Sequence, residues 1–305
     1  MIGCAGAIPR TRGDTPGPHD HHGGMPRLRT GVAAVLAAGT AALVVGVGPA
    51  GEITGPVAVA DDLPAGVEQI TLGDRAYLLA RPEQGGAGLP VVVLLHGRTD
   101  SASGFLAGSG LLDWVDVGVA VVAAPVTAPG LSPTSWNAGT CCDDAARGGV
   151  DDVWLVAGIV ADVATRTGAD ATRASVVGFS NGAMLGYRVA CEWPGLLAGL
   201  VAVAGARLVP CEQGGDVAVL HLHGDSDGAV PLEGTTRPGF TDRPLPSAEE
   251  SVAPFPGARL EVLHDTGHRF TRTAEQRARA WLAAHALLVT TGSAAAGAPP
   301  PSPSS

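Results

Sequence analysis

Gly178-Phe179-Ser180-Asn181-Gly182 sets a serine between two glycines, directly after an apolar run (Ala174 to Phe179) and directly before a helical run (Ala183 to Cys191). A serine on so tight a strand-to-helix turn needs neighbours without bulky side chains, and it then projects from the end of the strand. The free N–H groups and dipole of the helix start favour negative charge at that point, as a forming oxyanion requires. The chemistry suited to such a serine is nucleophilic acyl transfer, provided that a base and an acid accompany it. In a chain with 44 glycines the pentapeptide alone decides little. Its partners stand in the right order. Leu220-His221-Leu222-His223-Gly224-Asp225-Ser226-Asp227 begins as a buried strand and ends in acidic residues, 47 positions after the serine. Asp227 is the expected triad acid, which accepts the Nδ1 proton of the catalytic histidine and fixes its tautomer. Asp225 on the same loop is its rival. His268 follows the last strand, so the chain order reads Ser180, Asp227, His268.

The other histidines fit less well. His96 sits at an earlier strand end and is read as holding its loop; His221 and His223 belong to the strand that bears the acid; His264 precedes the loop, and His285 lies in the final helix. Leu94-Leu95-His96-Gly97-Arg98 ends the third strand, and the backbone N–H of Arg98 is the expected first oxyanion donor, with that of Asn181 as the second. Two such donors each commonly lower the barrier by about 3 kcal/mol. Asp225, Asp227 and Gly228 have no further carboxylates at EF-hand spacing, which excludes a calcium loop. The chemistry needs neither metal nor organic cofactor.

These residues require elements that bring distant positions to one edge. Val67 to Leu72 and Arg75 to Arg81 read as a hairpin around Gly73-Asp74. Unalternated apolar runs at Pro90 to Leu95, Val117 to Ala124, Ala174 to Phe179, Leu200 to Ala204 and Val217 to Leu222 are what strands buried on both faces require, and Arg259 to Leu263 is a last strand. Between them Val150 to Arg166 repeats Val150, Val153, Trp154, Ala157, Val160, Ala161 and Ala164 at helical spacing, with Asp151, Asp152, Asp162 and Arg166 elsewhere; Thr273 to Leu288 is a final helix. Alternating strands and helices imply a mostly parallel sheet covered on both faces, in the α/β class.

The 305 residues are 46% hydrophobic, enough for one core of this kind, and one domain at 61–288 is expected. All 19 basic residues are arginine and the formal charge is -10, so no basic stripe awaits nucleic acid. Residues 1–60 read as an extension and signal peptide: Met25 as the start, Arg27 and Arg29 as the positive region, an uncharged stretch from Gly31 to Gly48, and Ala58-Val59-Ala60 as the cleavage site. A retained anchor is the alternative for that stretch, and no lipid-attachment cysteine follows it. Secretion is therefore expected, without stable membrane association once the leader is removed; the oligomeric state is left open. Residues 289–305, rich in Gly, Ser, Ala and Pro, read as a disordered tail.

Taken together, the sequence resembles the secreted polyhydroxybutyrate depolymerase-like esterases, which overlap with bacterial feruloyl and acetylxylan esterases. The resemblance runs from Val67 to Leu288 and rests on Leu94 to Gly97, Trp136 to Cys142, Val150 to Val153, Gly178 to Met184, Tyr187 to Cys191 and His223 to Pro231. It implies a one-domain α/β-hydrolase that hydrolyses small or oligomeric carboxylic esters, such as hydroxybutyrate oligomers or feruloyl or acetyl esters, with Ser180, Asp227 and His268 as the triad. After the histidine the family tends to carry a tryptophan and a proline, where this chain has Arg269 and Phe270. Trp136 either lines the acyl pocket or anchors its loop. Cleavage of the leader would remove Cys4 and leave four cysteines. Cys191 ends the helix from Ser180, about 15 Å below the catalytic edge, whereas Cys141 and Cys142 sit on that edge; Cys191 is therefore expected to pair with Cys211, leaving Cys141 and Cys142 as a vicinal bridge or free thiols. An acyltransferase or peptidase on the same scaffold, and a non-catalytic binding protein, are the alternatives.

Overall fold

Strands of Val, Leu and Ala that show no polar face have to be covered on both sides, and the computed structural model, which describes residues 63–285 except 213, has that arrangement. The leader, Cys4, the cleavage site, residues 286–288 of the expected last helix and the tail lie outside the described residues. Eight strands form one sheet: β1 (Val67–Leu72), β2 (Arg75–Ala80), β3 (Pro90–Leu95), β4 (Val121–Pro125), β5 (Asp170–Phe179), β6 (Gly199–Val203), β7 (Ala218–Gly224) and β8 (Arg259–Leu263). Their order is β1-β2-β4-β3-β5-β6-β7-β8. The β1–β2 and β2–β4 pairs are antiparallel, and every pair from β4 to β8 is parallel.

The helices are α1 (Ala102–Ser109), α2 (Leu112–Asp116), α3 (Asp143–Arg147), α4 (Asp152–Thr167), α5 (Asn181–Glu192), α6 (Ala248–Val252) and α7 (Arg272–Ala284). Alternate residues of the strands feed two cores. Val91, Val93 and Leu95 of β3 pack with α4 and α5 on one face, while Val92 and Leu94 pack with α1, α2 and α7 on the other. The direction in which successive strands are added to the sheet switches at β3 and β5, since β4 lies to one side of this pair and β6 to the other. The crevice beyond the carboxyl ends of strands at such a switch point is where open α/β sheets bind ligands.

Three expectations are corrected. The core face of α4 is rotated from the one read in the sequence: Trp154 is 50% exposed, while Asp152 is 1% exposed. Asp152 is tolerated inside because Arg75 of β2 donates to it at 2.9 Å and the amide of Asn137 at 2.8 Å. Strand β4 begins at Val121 rather than Val117, because Asp113 to Gly118 form a helical turn closed by the Val117 and Gly118 amides. Helices α1, α2, α3 and α6 are short additions that the apolar periodicity did not mark.

Cys191 and Cys211 are joined, with Cα atoms 5.2 Å apart. Closing a loop of 20 residues this way stabilises the fold by about 3 kcal/mol in the chain-entropy account. Cys141 and Cys142 form the vicinal bridge of the two options left open above.

Candidate active site

The elbow follows from what its glycines exclude. A Cβ on Gly178 would lie 2.6 Å from the Gly182 carbonyl, and one on Gly182 would run into the carbonyls of Leu95 and His96. With no side chains there, the first turn of α5 rests directly on the end of β3. Ser180 between them has φ +53° and ψ -119°, a left-handed strain of about 1 to 3 kcal/mol that a non-glycine residue keeps only when its surroundings hold it. Its amide bonds to the Val203 carbonyl at 2.8 Å and its carbonyl accepts from Met184 at 3.0 Å.

The sheet register delivers the partners. Gly178 lies level with Leu95, Phe179 with Val203, Val203 with Leu222, and Gly224 with Leu263. Loops leaving β5, β7 and β8 therefore start at one rim. The last two are tied together where the Asp225 amide bonds to Leu263 and the Ser226 amide to Thr266, a contact that leaves Gly224 no space for a Cβ. Across this rim His268 Nε2 lies 2.8 Å from Ser180 Oγ, and His268 Nδ1 lies 2.8 Å from Asp227 Oδ2. The rivals separate cleanly: Asp225 turns outward to His264 at 3.0 Å. His285 bonds to its own helix at the Trp281 carbonyl.

Asp227 is fully enclosed, yet its carboxyl is held below the ordinary carboxylate range. Burial opposes ionisation, and the His268 N–H together with the amides of Val230 and Ala229 outweighs it. Those amides reach Oδ1 at 2.8 and 2.9 Å, so each carboxylate oxygen has its own donors. The side of the His268 ring packs against Phe179, centroids 5.0 Å apart.

Gly97 lies against Phe179 and Ser180, for a Cβ on it would come 3.0 and 3.4 Å from those side chains. Arg98 directly follows this glycine, and among the described residues neither its amide nor the Asn181 amide bonds to a protein group. The Arg98 guanidinium is occupied elsewhere, by Asp143 at 2.7 Å. His96 does hold its loop, with Nδ1 against the Gly97 carbonyl at 2.8 Å, and burial pushes its pKa down.

Trp136 is 0% exposed. Of its two expected roles the structure gives it the anchor: its indole N–H donates to the His96 carbonyl at 2.9 Å, and no surface remains for an acyl group. Its backbone is gripped by the Asn181 side chain, whose Oδ1 accepts from the Trp136 amide at 2.7 Å and whose Nδ2 donates to the Trp136 carbonyl at 3.1 Å. This grip of the Asn181 side chain was not read from the sequence, although an amide directly after Ser180 is a side chain able to bond both ways.

Burial holds His221, on β7 beneath this rim, down at about 3. Unfolded, it titrates near 6.5. Between these values the unfolded chain binds a proton that the folded chain refuses, so stability is complete above about pH 6.5 and lost as the pH falls toward 3. One such group changes the unfolding free energy by about 1.4 kcal/mol per pH unit. Unfolding measured from pH 6.5 to 4.5 should show this slope, and His221→Gln should reduce it by about one proton; an equal slope in both proteins would remove His221 as its source.

Similar solved structures share this fold. An acetyl xylan esterase from Aspergillus awamori superposes with a TM-score of 0.53 at 15% identity, over 71% of this chain and 98% of its own. TT1662 from Thermus thermophilus does so with a TM-score of 0.54 at 20% identity, over 72% and 97%. The chain has the α/β-hydrolase fold. No family model matches the chain. Among sequence relatives, a protein of Nocardia uniformis subsp. tsuyamanensis named "Putative esterase NocK" is 30% identical over 65% of the chain and 60% of its own length. A protein of Aspergillus flavus named "Probable feruloyl esterase C" is 26% identical over 53% of the chain and 58% of its own length. The chain thus spans about 60% of the length of the curated relatives that it matches.

Proposed function

We propose that this α/β-hydrolase is a serine esterase that hydrolyses small or oligomeric carboxylic esters through an acyl-enzyme. The reading is carried by one observation, the continuous contact from Ser180 Oγ through the His268 ring to Asp227, 2.8 Å at each step. His268 Nε2 takes the hydroxyl proton as Ser180 Oγ bonds to the ester carbonyl carbon. The imidazolium so formed is matched by the Asp227 carboxylate. The Arg98 and Asn181 amides receive the oxygen that becomes negative. His268 then returns the proton to the departing alcohol, and water repeats the sequence to free the acid. Every group needed is a side chain or amide of this chain.

The motif resemblance to polyhydroxybutyrate depolymerase-like esterases and the feruloyl esterase relatives favour hydroxyacyl, feruloyl or acetyl esters. The Cys191–Cys211 bridge and the leader-like residues 1–60 favour export, since disulfides persist in oxidising compartments. The catalytic domain in this reading is 61–288. A fluorophosphonate probe is expected to label the protein once, on the peptide that contains Ser180. Absence of label on the folded protein, or label on another serine, would overturn the proposal.

A further inference from the structure

Among the buried polar side chains that the mechanism leaves unused are Tyr187 on α5, and His221 and His223 on the same face of β7. They are in line. Tyr187 Oη is 2.6 Å from His221 Nδ1, His221 Nε2 is 2.8 Å from His223 Nδ1, and His223 Nε2 is 2.7 Å from the Val230 carbonyl. The last acceptor sets the direction of every bond. A carbonyl cannot donate, so His223 carries its proton on Nε2; its bare Nδ1 accepts from His221 Nε2–H, and His221 Nδ1 accepts from the Tyr187 hydroxyl.

The chain ends under the triad acid. The residue that receives the His223 proton at its carbonyl is the one whose amide donates to Asp227 Oδ1 at 2.8 Å. His223 Nε2 is itself 3.6 Å from Asp227 Oδ2, the oxygen that holds His268. Two leucines on this face of β7 would fill the space without needing partners, whereas buried polar groups are costly unless every member is satisfied. What the histidines add is a donor at a fixed point beneath the turn from Asp227 to Val230.

We propose that His223 is a positioning residue: its Nε2–H fixes Val230, and through Val230 the carboxylate of Asp227, so that Oδ2 meets Nδ1 of His268, while His221 and Tyr187 keep His223 in the donating tautomer. The inference rests on the triad reading above. The charged and titratable groups that bear on His223 are His221 beside it, Asp227 on the following loop and His268 from the loop after β8; Tyr187 lies beyond His221, and Arg207 acts on Tyr187. Burial favours neutral His223, although Asp227 pulls the other way. Were it protonated, both ring nitrogens would donate, the bonds to His221 and Tyr187 would have to reverse, and a cation would compete with His268 for Asp227.

The test uses three variants of the full chain, with kcat and KM on p-nitrophenyl butyrate and the downfield proton resonance of His268 Nδ1–H as readouts. His223→Leu should lower kcat about 10²-fold, the loss that a displacement near 1 Å brings, with KM within about twofold and the resonance lost or shifted upfield. His223→Gln, whose amide reaches Val230, should recover kcat to within about 10-fold of the wild type and restore the resonance. His223→Asn, too short for Val230 but able to accept from His221, should resemble the leucine variant. A folded His223→Leu with wild-type kcat and resonance would overturn the proposal, as would equal behaviour of the Gln and Asn variants; if the leucine variant does not fold, the Gln and Asn pair decides. The resonance needs no substrate. A wild-type protein inactive on every ester would therefore sink the esterase reading while the resonance still judged the role of His223.

Discussion

Ser180→Ala should lower kcat on p-nitrophenyl butyrate about 10⁴- to 10⁶-fold while leaving the fold intact. The oxygen removed is the atom that His268 Nε2 faces at 2.8 Å, and nothing beside it can replace it. Of the hydroxyl residues after β3, Ser101 caps helix α1 at the Gly104 amide and lies 3.4 Å from Ser103 Oγ in its first turn. Some rate above that of water should survive, because the Arg98 and Asn181 amides would still polarise a bound carbonyl. The backbone at position 180 stays in its left-handed conformation whether serine or alanine occupies it, since Gly178, Gly182 and the Val203 contact impose that turn. Unfolding curves should thus nearly coincide, and the fluorophosphonate label should vanish with the activity. Retention of more than about 1% of the wild-type kcat in a preparation free of contaminating esterase would move the nucleophile elsewhere.

Much of this site was legible in the sequence because its requirements are local. The glycines around Ser180 are dictated by the elbow itself, and the strand runs after which Asp227 and His268 appear are unbroken Val, Leu and Ala. What the sequence hid depends on partners far along the chain. Asp152 reads as polar surface on α4 until Arg75, 77 positions earlier, is seen to meet it; with that pair inside, the helix turns and Trp154 faces out. Trp136 is an aromatic residue on an active-site loop, and only the bonds to His96 and Asn181 show that it is structure rather than pocket wall. His221 and His223 did carry a signal, two histidines at the spacing of one strand face. The Tyr187 that completes them lies on another element. Helix α1 contains Gly104 and Gly108 and little amphipathic pattern, so its Ser101 cap was its main mark.

Asp227→Asn should cost about 10⁴-fold in kcat although it changes one atom. The reason is specific to how this carboxylate is held. Oδ1 accepts from the Ala229 and Val230 amides, so in the variant the amide oxygen must remain on that side. The side-chain NH₂ is thereby forced into the place of Oδ2, opposite His268 Nδ1. Two donors cannot face each other, so the imidazole takes the other tautomer, with Nδ1 accepting and Nε2 carrying the proton toward Ser180 Oγ. A base already protonated at the reacting nitrogen cannot take the serine proton, and the negative charge that would stabilise the imidazolium is gone as well. Substrate binding does not use this carboxylate, so KM should stay within about threefold of wild type while kcat collapses. Asp225→Asn serves as the control, for its carboxylate faces His264 at the surface, and kcat should remain within about twofold. If the two aspartates exchanged these outcomes, the acid behind His268 would be Asp225, and the turn through Val230 would have no part in aiming it.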